Sequence, residues 1–136
     1  WHAGDIGNLN VTDAIKEIKL LRAVYGNIDD NKARVEYPLN QIFTCEKVKV
    51  FMTHIGGYPG KYNSLVKVDL IQNKPQLYIC GHSHILKVMF DKQLNLLHMN
   101  PGAAGIHGLH QVRSMLRFEI NEDKIQNLEV IEIGKK

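Results

Sequence analysis

The sequence predicts an α/β protein whose parallel strands run into an antiparallel or mixed second sheet, packed as a layered sandwich. Three features of its 136 residues point there. Short β-branched or aromatic runs alternate with helical periodicity through the first half of the chain. Paired strand-like segments with tight turns fill the second half. Asp5, Asn27, His54, His82 and His84 each fall just past a predicted strand, the edge at which open α/β sheets build ligand sites.

Thr12 is placed to cap a helix with Ile15, Ile18 and Leu21 on one face and Glu17 and the lysines on the other. Arg22-Ala23-Val24-Tyr25 reads as a short strand stopped at Gly26-Asn27. Asp29-Asp30-Asn31 forms a turn, followed by a polar stretch to Pro38. Val48 to Thr53 is a strand by its β-branched and aromatic content and ends at His54, ahead of Gly56-Gly57. Between Ser64 and Asn73, Leu65, Val68 and Ile71 or Leu70 give the spacing of a second helix, closed before Pro75. The apolar run Tyr78-Ile79-Cys80 is a buried strand that delivers Gly81-His82-Ser83-His84 to the sheet edge. Ile85 to Phe90 and Leu94 to Met99 form a hairpin across Asp91-Lys92-Gln93. Ser114 to Ile120 and Leu128 to Ile133 form another across Asn121-Glu122-Asp123.

Composition narrows the function classes. A chain of this length is expected to form one domain, residues 1–136, able to bury a core without staples. Its 44% hydrophobic and 23% charged content excludes a disordered or fibrous class. No apolar run approaches the roughly 20 residues of a spanning helix, so no membrane partner is expected. The formal charge of +3 is scattered, and Lys135-Lys136 reads as a solvated tail, so no specific nucleic-acid partner is expected. Cys45 and Cys80 lie in apolar, strand-like surroundings and read as free thiols of a reducing, cytoplasmic compartment. A homo-oligomer is left open by exposed strand edges.

The donor set speaks to chemistry. Two or three imidazoles with the Asp5 carboxylate and the Asn27 amide, and no nearby thiolate, suit Mn, Fe, Zn or Ni and disfavour a structural zinc site. A carboxylate such as Asp5 can bridge two ions. Ions about 3.5–4 Å apart activate a water and stabilise the attacking and leaving oxygens of a phosphoryl displacement. Gly56-Gly57-Tyr58-Pro59-Gly60-Lys61 lacks the Gly-Lys-Ser/Thr ending of a P-loop. It is expected to bring backbone close to the metals, with Tyr58 and Lys61 at its rim. His107 and His110 are expected to be exposed loop histidines, and His98, inside a strand, has no ligand role. Arg22, Arg34 and Arg113 are equally able to meet a phosphate.

Gly4-Asp5, Gly26-Asn27, His54 and Gly81-His82-Ser83-His84, in that order, resemble the signature of the calcineurin-like metallophosphoesterases. Asn100-Pro101-Gly102-Ala103 is similar to the turn that follows the hairpin in their small bacterial and archaeal phosphodiesterase members. The resemblance implies a four-layer α/β/β/α sandwich with mixed sheets and two divalent ions, manganese first among them. It also implies a phosphoester small-molecule substrate, attacked by a metal-bound hydroxide. On this reading Asp5 bridges the ions, Asn27, His54 and His82 complete one of them, and His84 serves the other.

Two departures stand out. The family's Asp-x-His motif has no counterpart before Asp5, and His2 is a poor substitute, so an N-terminally incomplete domain lacking its first strand and helix is expected. Ile28 follows Asn27 where many members carry a histidine near the leaving group. Isoleucine cannot transfer a proton, which shifts the expectation toward metal-weighted catalysis on diesters. Asp29 is a conceivable substitute, although an Asp here is ordinarily a turn former. The alternative from another class is a non-catalytic interaction scaffold of the same fold, similar to the retromer subunit. The intact ligand set argues against it. A regulatory nucleotide binder would need a base-stacking pocket, with Tyr58 and Tyr62 the nearest aromatic residues.

Overall fold

A computed structural model describes all residues, 1–136. In chain order the elements are α1 (Leu9–Ile18), α2 (Asn31–Glu36), β1 (Asn40–Cys45), β2 (Val48–Thr53), β3 (Gly57–Tyr58) and β4 (Lys61–Tyr62). They continue as α3 (Ser64–Asn73), β5 (Leu77–Ile79), β6 (Leu86–Asp91), β7 (Leu96–Pro101), β8 (Val112–Asn121) and β9 (Lys124–Lys135).

The central sheet is mixed, in the order β1-β2-β5-β7-β6. Strands β2, β5 and β7 are parallel, with β1 and β6 antiparallel at the edges. The parallel strands are covered on both faces, which is why β2 and β5 read as nearly continuous apolar runs. Alternation then sorts their side chains. Val48, Val50, Met52, Leu77 and Ile79 face one way and cluster with Met99 and Val24, and Leu116, Phe118, Ile120 and Ile125 of the β8–β9 hairpin pack over them. Phe51, Tyr78 and Cys80 face the other way, against Val66 and Leu70 of α3.

A second extended layer lies under the hairpin side. His2 forms a single parallel bridge with Ala23, closed by N–H donations from His2 to the Arg22 carbonyl and from Val24 to the His2 carbonyl. Val24 joins the sheet core, whereas Ala23 turns outward to Ile6, Tyr37, Leu9 and Leu21 beside the first helices. The chain is thus a mixed α/β sandwich around a central mixed sheet, with helices outside and the hairpin and paired segments between.

Several elements differ from the sequence expectation. The cap of α1 is Asn8, whose side chain accepts from the Asn10 N–H; Thr12 is buried inside the helix and donates its hydroxyl to the Leu9 carbonyl. Ile18, expected on the inner face, is 78% exposed. The turn and polar stretch after Asp29 contains α2, because Asp30 caps it by accepting from the Ala33 N–H. Turn formers and N-caps are the same residue types, so the sequence alone does not separate them. Helix α3 buries Val66 and Leu70, so of the expected positions only Leu70 faces the core, and Leu65, Val68 and Ile71 are exposed. It is apolar on two sides, and only one of them packs on the sheet.

Candidate metal centre

The predicted ligands come from four strand ends. Residues 4–5 and 26–27 follow the paired extended segments, His54 follows β2, and His82 and His84 follow β5. Asp5, His82 and His84 have φ of 57°, 66° and 57°, the left-handed region that few non-glycine residues occupy. Such strain clusters where surrounding contacts over-determine the backbone.

Glycine is required at two places here. A Cβ on Gly26 would stand 2.1 Å from Asp5 Oδ1 and 2.3 Å from its backbone nitrogen, so only glycine lets these two loops meet. Gly4, at φ +89°, lies so near His54 that a Cβ would fall 2.6 Å from Nδ1.

Ligand atoms of Asp5, His54 and His82 all lie within 4.8 Å of one another. His54 is buried, and its Nδ1 stands 2.6 Å from the Ala3 carbonyl. A carbonyl only accepts, so Nδ1 carries the proton and Nε2 presents a lone pair. That nitrogen is 3.1 Å from Asp5 Oδ1 and 3.1 Å from Asn27 Oδ1. Two oxygens therefore converge on a nitrogen that has no proton to give them. An acceptor cluster of carboxylate, amide oxygen and imidazole is the coordination chemistry of a divalent ion, so the residues fit a metal. The ring of His82 closes the group at 5.2 Å from that of His54.

His84 stands outside this group. Its ring packs edge-on against His110 at 5.2 Å, and burial, then the nearby His110, pushes its pKa below the ordinary value. His110, expected to be a free loop histidine, is half-buried here; His107 is exposed. Nothing in the spacing of Gly102 to Gln111 signalled that this loop folds back onto His84. His2 is held in its bridge to Ala23, with its pKa lowered by burial.

Asp29 has a structural role. It is 3% exposed and accepts N–H donations from Gly26 at 2.7 Å and Gly7 at 2.8 Å. Burial works against its charge, yet the amides of Gly26, Gly7 and Ile6 hold its carboxyl below the usual carboxylate range. It ties the Asp5 loop to the Asn27 loop and has no free edge for proton transfer. The side chain of Ile28 is exposed, and its backbone N–H donates to Asp5 Oδ1 at 3.3 Å.

The glycine-rich segment is tied to Tyr78 and Cys80 through the Gly57 carbonyl. It forms the β3–β4 turn, where Tyr78 donates its hydroxyl to the Gly57 carbonyl at 3.3 Å. Lys87 covers Tyr58 at 3.8 Å, and Tyr62 donates to Asp91 at 2.6 Å. Of the three arginines, Arg34 reaches the centre: it donates to the Asp29 carbonyl at 2.8 Å and the Asn27 carbonyl at 3.2 Å. Arg22 stacks on Phe43, and Arg113 holds the Ala104 carbonyl. Both cysteines are free, with Cys80 buried and its thiol pushed up to about 11 by burial.

The family model of the calcineurin-like phosphoesterase superfamily domain matches residues 1–123. No curated protein sequence matches the chain. Among solved structures, Vps29 of Entamoeba histolytica complexed with zinc superposes with a TM-score of 0.72 at 16% identity, covering 97% of this chain and 79% of that one. An archaeal phosphodiesterase gives 0.68 at 19% identity, covering 96% of this chain and 81% of that one. A Thermotoga maritima protein gives 0.64 at 20% identity, with 93% and 74% covered. At these identities the likeness is one of fold alone. With the family model spanning nearly the whole sequence and the strand-end donors converging, the chain belongs to the calcineurin-like phosphoesterase superfamily.

Proposed function

We propose that this protein is a metal-dependent phosphodiesterase whose ions are held by Asp5, Asn27, His54, His82 and His84. One observation carries the reading: Asp5 Oδ1 and Asn27 Oδ1 each lie 3.1 Å from His54 Nε2, whose tautomer leaves it a lone pair. When bound, divalent ions supply charge neutralisation and an acidified water. Hydrolysis of a phosphodiester would add the oxygen of a water to phosphorus and release the ester alcohol. The protein residues orient the centre. Ala3 fixes the His54 tautomer, Asp29 locks the two loops, and the backbone amide of Ile28 holds one Asp5 oxygen. No histidine follows Asn27, which favours diesters with leaving groups that need little protonation. Manganese is the first metal to try, with zinc, iron and nickel next.

The test is hydrolysis of bis(p-nitrophenyl) phosphate and p-nitrophenyl phosphate with and without Mn²⁺. Metal-dependent diesterase activity lost in both His54→Ala and His82→Ala is the expected outcome. A folded protein inactive with every divalent ion would sink the enzyme reading. A scaffold would then stand first. One observation favours it: Val88, Met89 and Phe90 of β6 and Met115 and Val130 of the β8–β9 hairpin are exposed.

A further inference from the structure

A cleft of about 550 Å³ opens between the β3–β4 hairpin, the start of α3 and the β6–β7 turn, with Lys61, Lys67 and Lys92 in its wall. It lies at the far end of the sheet from the metal centre. Asp91, which ends β6, pairs with Leu96 at the start of β7, whereas Leu86 pairs with Pro101 at the end toward which β5 delivers His82 and His84. We propose that this cleft binds a small polyanion and that the polyanion is a condensed phosphate chain.

The charges of the cleft are unbalanced within the chain. The protein's ion pairs join Lys16, Lys47, His54 and Arg117 to carboxylates, and none includes Lys61, Lys67 or Lys92. The one carboxylate in the wall, Asp91, is 7% exposed. It accepts from the Tyr62 hydroxyl at 2.6 Å and from the N–H groups of Gln93 at 2.8 Å and Leu94 at 3.1 Å, so its oxygens hold the turn to the hairpin. Lys67 stands at the end of the first turn of α3, where the helix dipole disfavours a cation, and no acidic residue sits in that turn. Three like charges beside a helix N-terminus cost stability, and no contact in the chain offsets them. Local choices that break such rules without compensation are expected at functional sites, where a ligand supplies what the chain lacks.

The same features select the ligand. A concave wall of one sign focuses its field on a counter-ion. Lysine offers compact, rotatable ammonium groups that suit phosphoryl oxygens as point charges. The three cations come from separate elements, β4, α3 and the β6–β7 turn, so a chain of phosphoryl groups can meet more of them than one phosphate can. The volume lies within the range of about 300–1,000 Å³ typical of small-molecule sites, which favours a small ligand over a macromolecule. Phe90, 55% exposed in the same wall, offers a ring to a base where the phosphate chain is that of a nucleotide.

Calorimetry with the full chain measures binding of tripolyphosphate, ATP and orthophosphate in EDTA, at about 0.15 M salt, where charges more than about 8 Å apart are screened. We expect saturable binding of tripolyphosphate, about tenfold or more weaker binding of orthophosphate, and a loss of about tenfold or more in Lys67→Gln/Lys92→Gln. Lys32→Gln/Lys135→Gln removes the same charge elsewhere and should leave the affinity unchanged. All four lysines are exposed, so these changes spare the core. ATP binding no tighter than that of tripolyphosphate identifies the phosphate chain alone as the ligand. Tighter ATP binding that Phe90→Ala removes identifies a nucleotide, and either result upholds the site. No saturable binding of tripolyphosphate, binding untouched by Lys67→Gln/Lys92→Gln, or equal losses in both double variants overturns the proposal.

Discussion

His98 on β7 is 1% exposed, packed against Tyr78 with ring centroids 5.1 Å apart, and its Nδ1 has no hydrogen-bond partner. Burial, reinforced by the charge of Lys87, pushes its pKa from 6.5 down to about 4. The folded state holds this imidazole neutral while the unfolded chain protonates it from about pH 6.5 downward, so stability is lost on acidification. The loss runs at about 1.4 kcal/mol per pH unit and stops once the folded protein also takes the proton, near pH 4. The full effect is on the order of 3 kcal/mol. His2 and His84 are shifted in the same direction, so the difference between proteins isolates the residue. Urea unfolding of the wild type and His98→Leu between pH 7.5 and 4 measures it, through midpoints at unchanged m. The gap in stability should move by roughly 3 kcal/mol in favour of the leucine variant as the pH falls. Parallel profiles would refute the reasoning.

Two further outcomes concern the metal centre. Asp29→Asn keeps the shape but turns one of two acceptors into a donor facing a backbone N–H, which should cost about 2 kcal/mol or more in chelated protein at pH 7. Because the folded carboxyl titrates below its usual value, this contribution is complete above about pH 3.9 and fades as the pH falls through the lower folded value. A variant as stable as the wild type by urea unfolding would show that the carboxylate does not tie the loops. Gly26→Ala places its Cβ 2.1 Å from Asp5 Oδ1 and should displace that carboxylate, costing about 1–3 kcal/mol of stability. Zn²⁺ affinity, read by calorimetry, should fall at least about tenfold, and unchanged affinity would mean that Asp5 is not a ligand.

The sequence by itself determined the class of fold and where its chemistry lies. Strand runs such as Val48–Thr53 and Tyr78–Cys80 are apolar on both faces because both faces are buried, and that pattern is local. Donors placed after such runs must meet at one sheet edge, so Asp5, Asn27 and His54 were legible as a group. What the tertiary structure alone decided is which of several equivalent local options is taken. Leu65, Val68 and Ile71 share a helix face as well spaced as that of Val66 and Leu70, and only the position of the sheet selects the second. Turn chemistry at Asp29 and Asp30 permits a loop, a cap or an acid, and the approach of Gly7 and Gly26 makes one a loop tie while Ala33 makes the other a cap. Arg34 was one of three arginines able to meet a phosphate until α2 set it beside Asn27, and His110 was a loop histidine until its loop folded onto His84. These outcomes depend on contacts between residues far apart in the chain, whose geometry is set by packing and not by spacing along it.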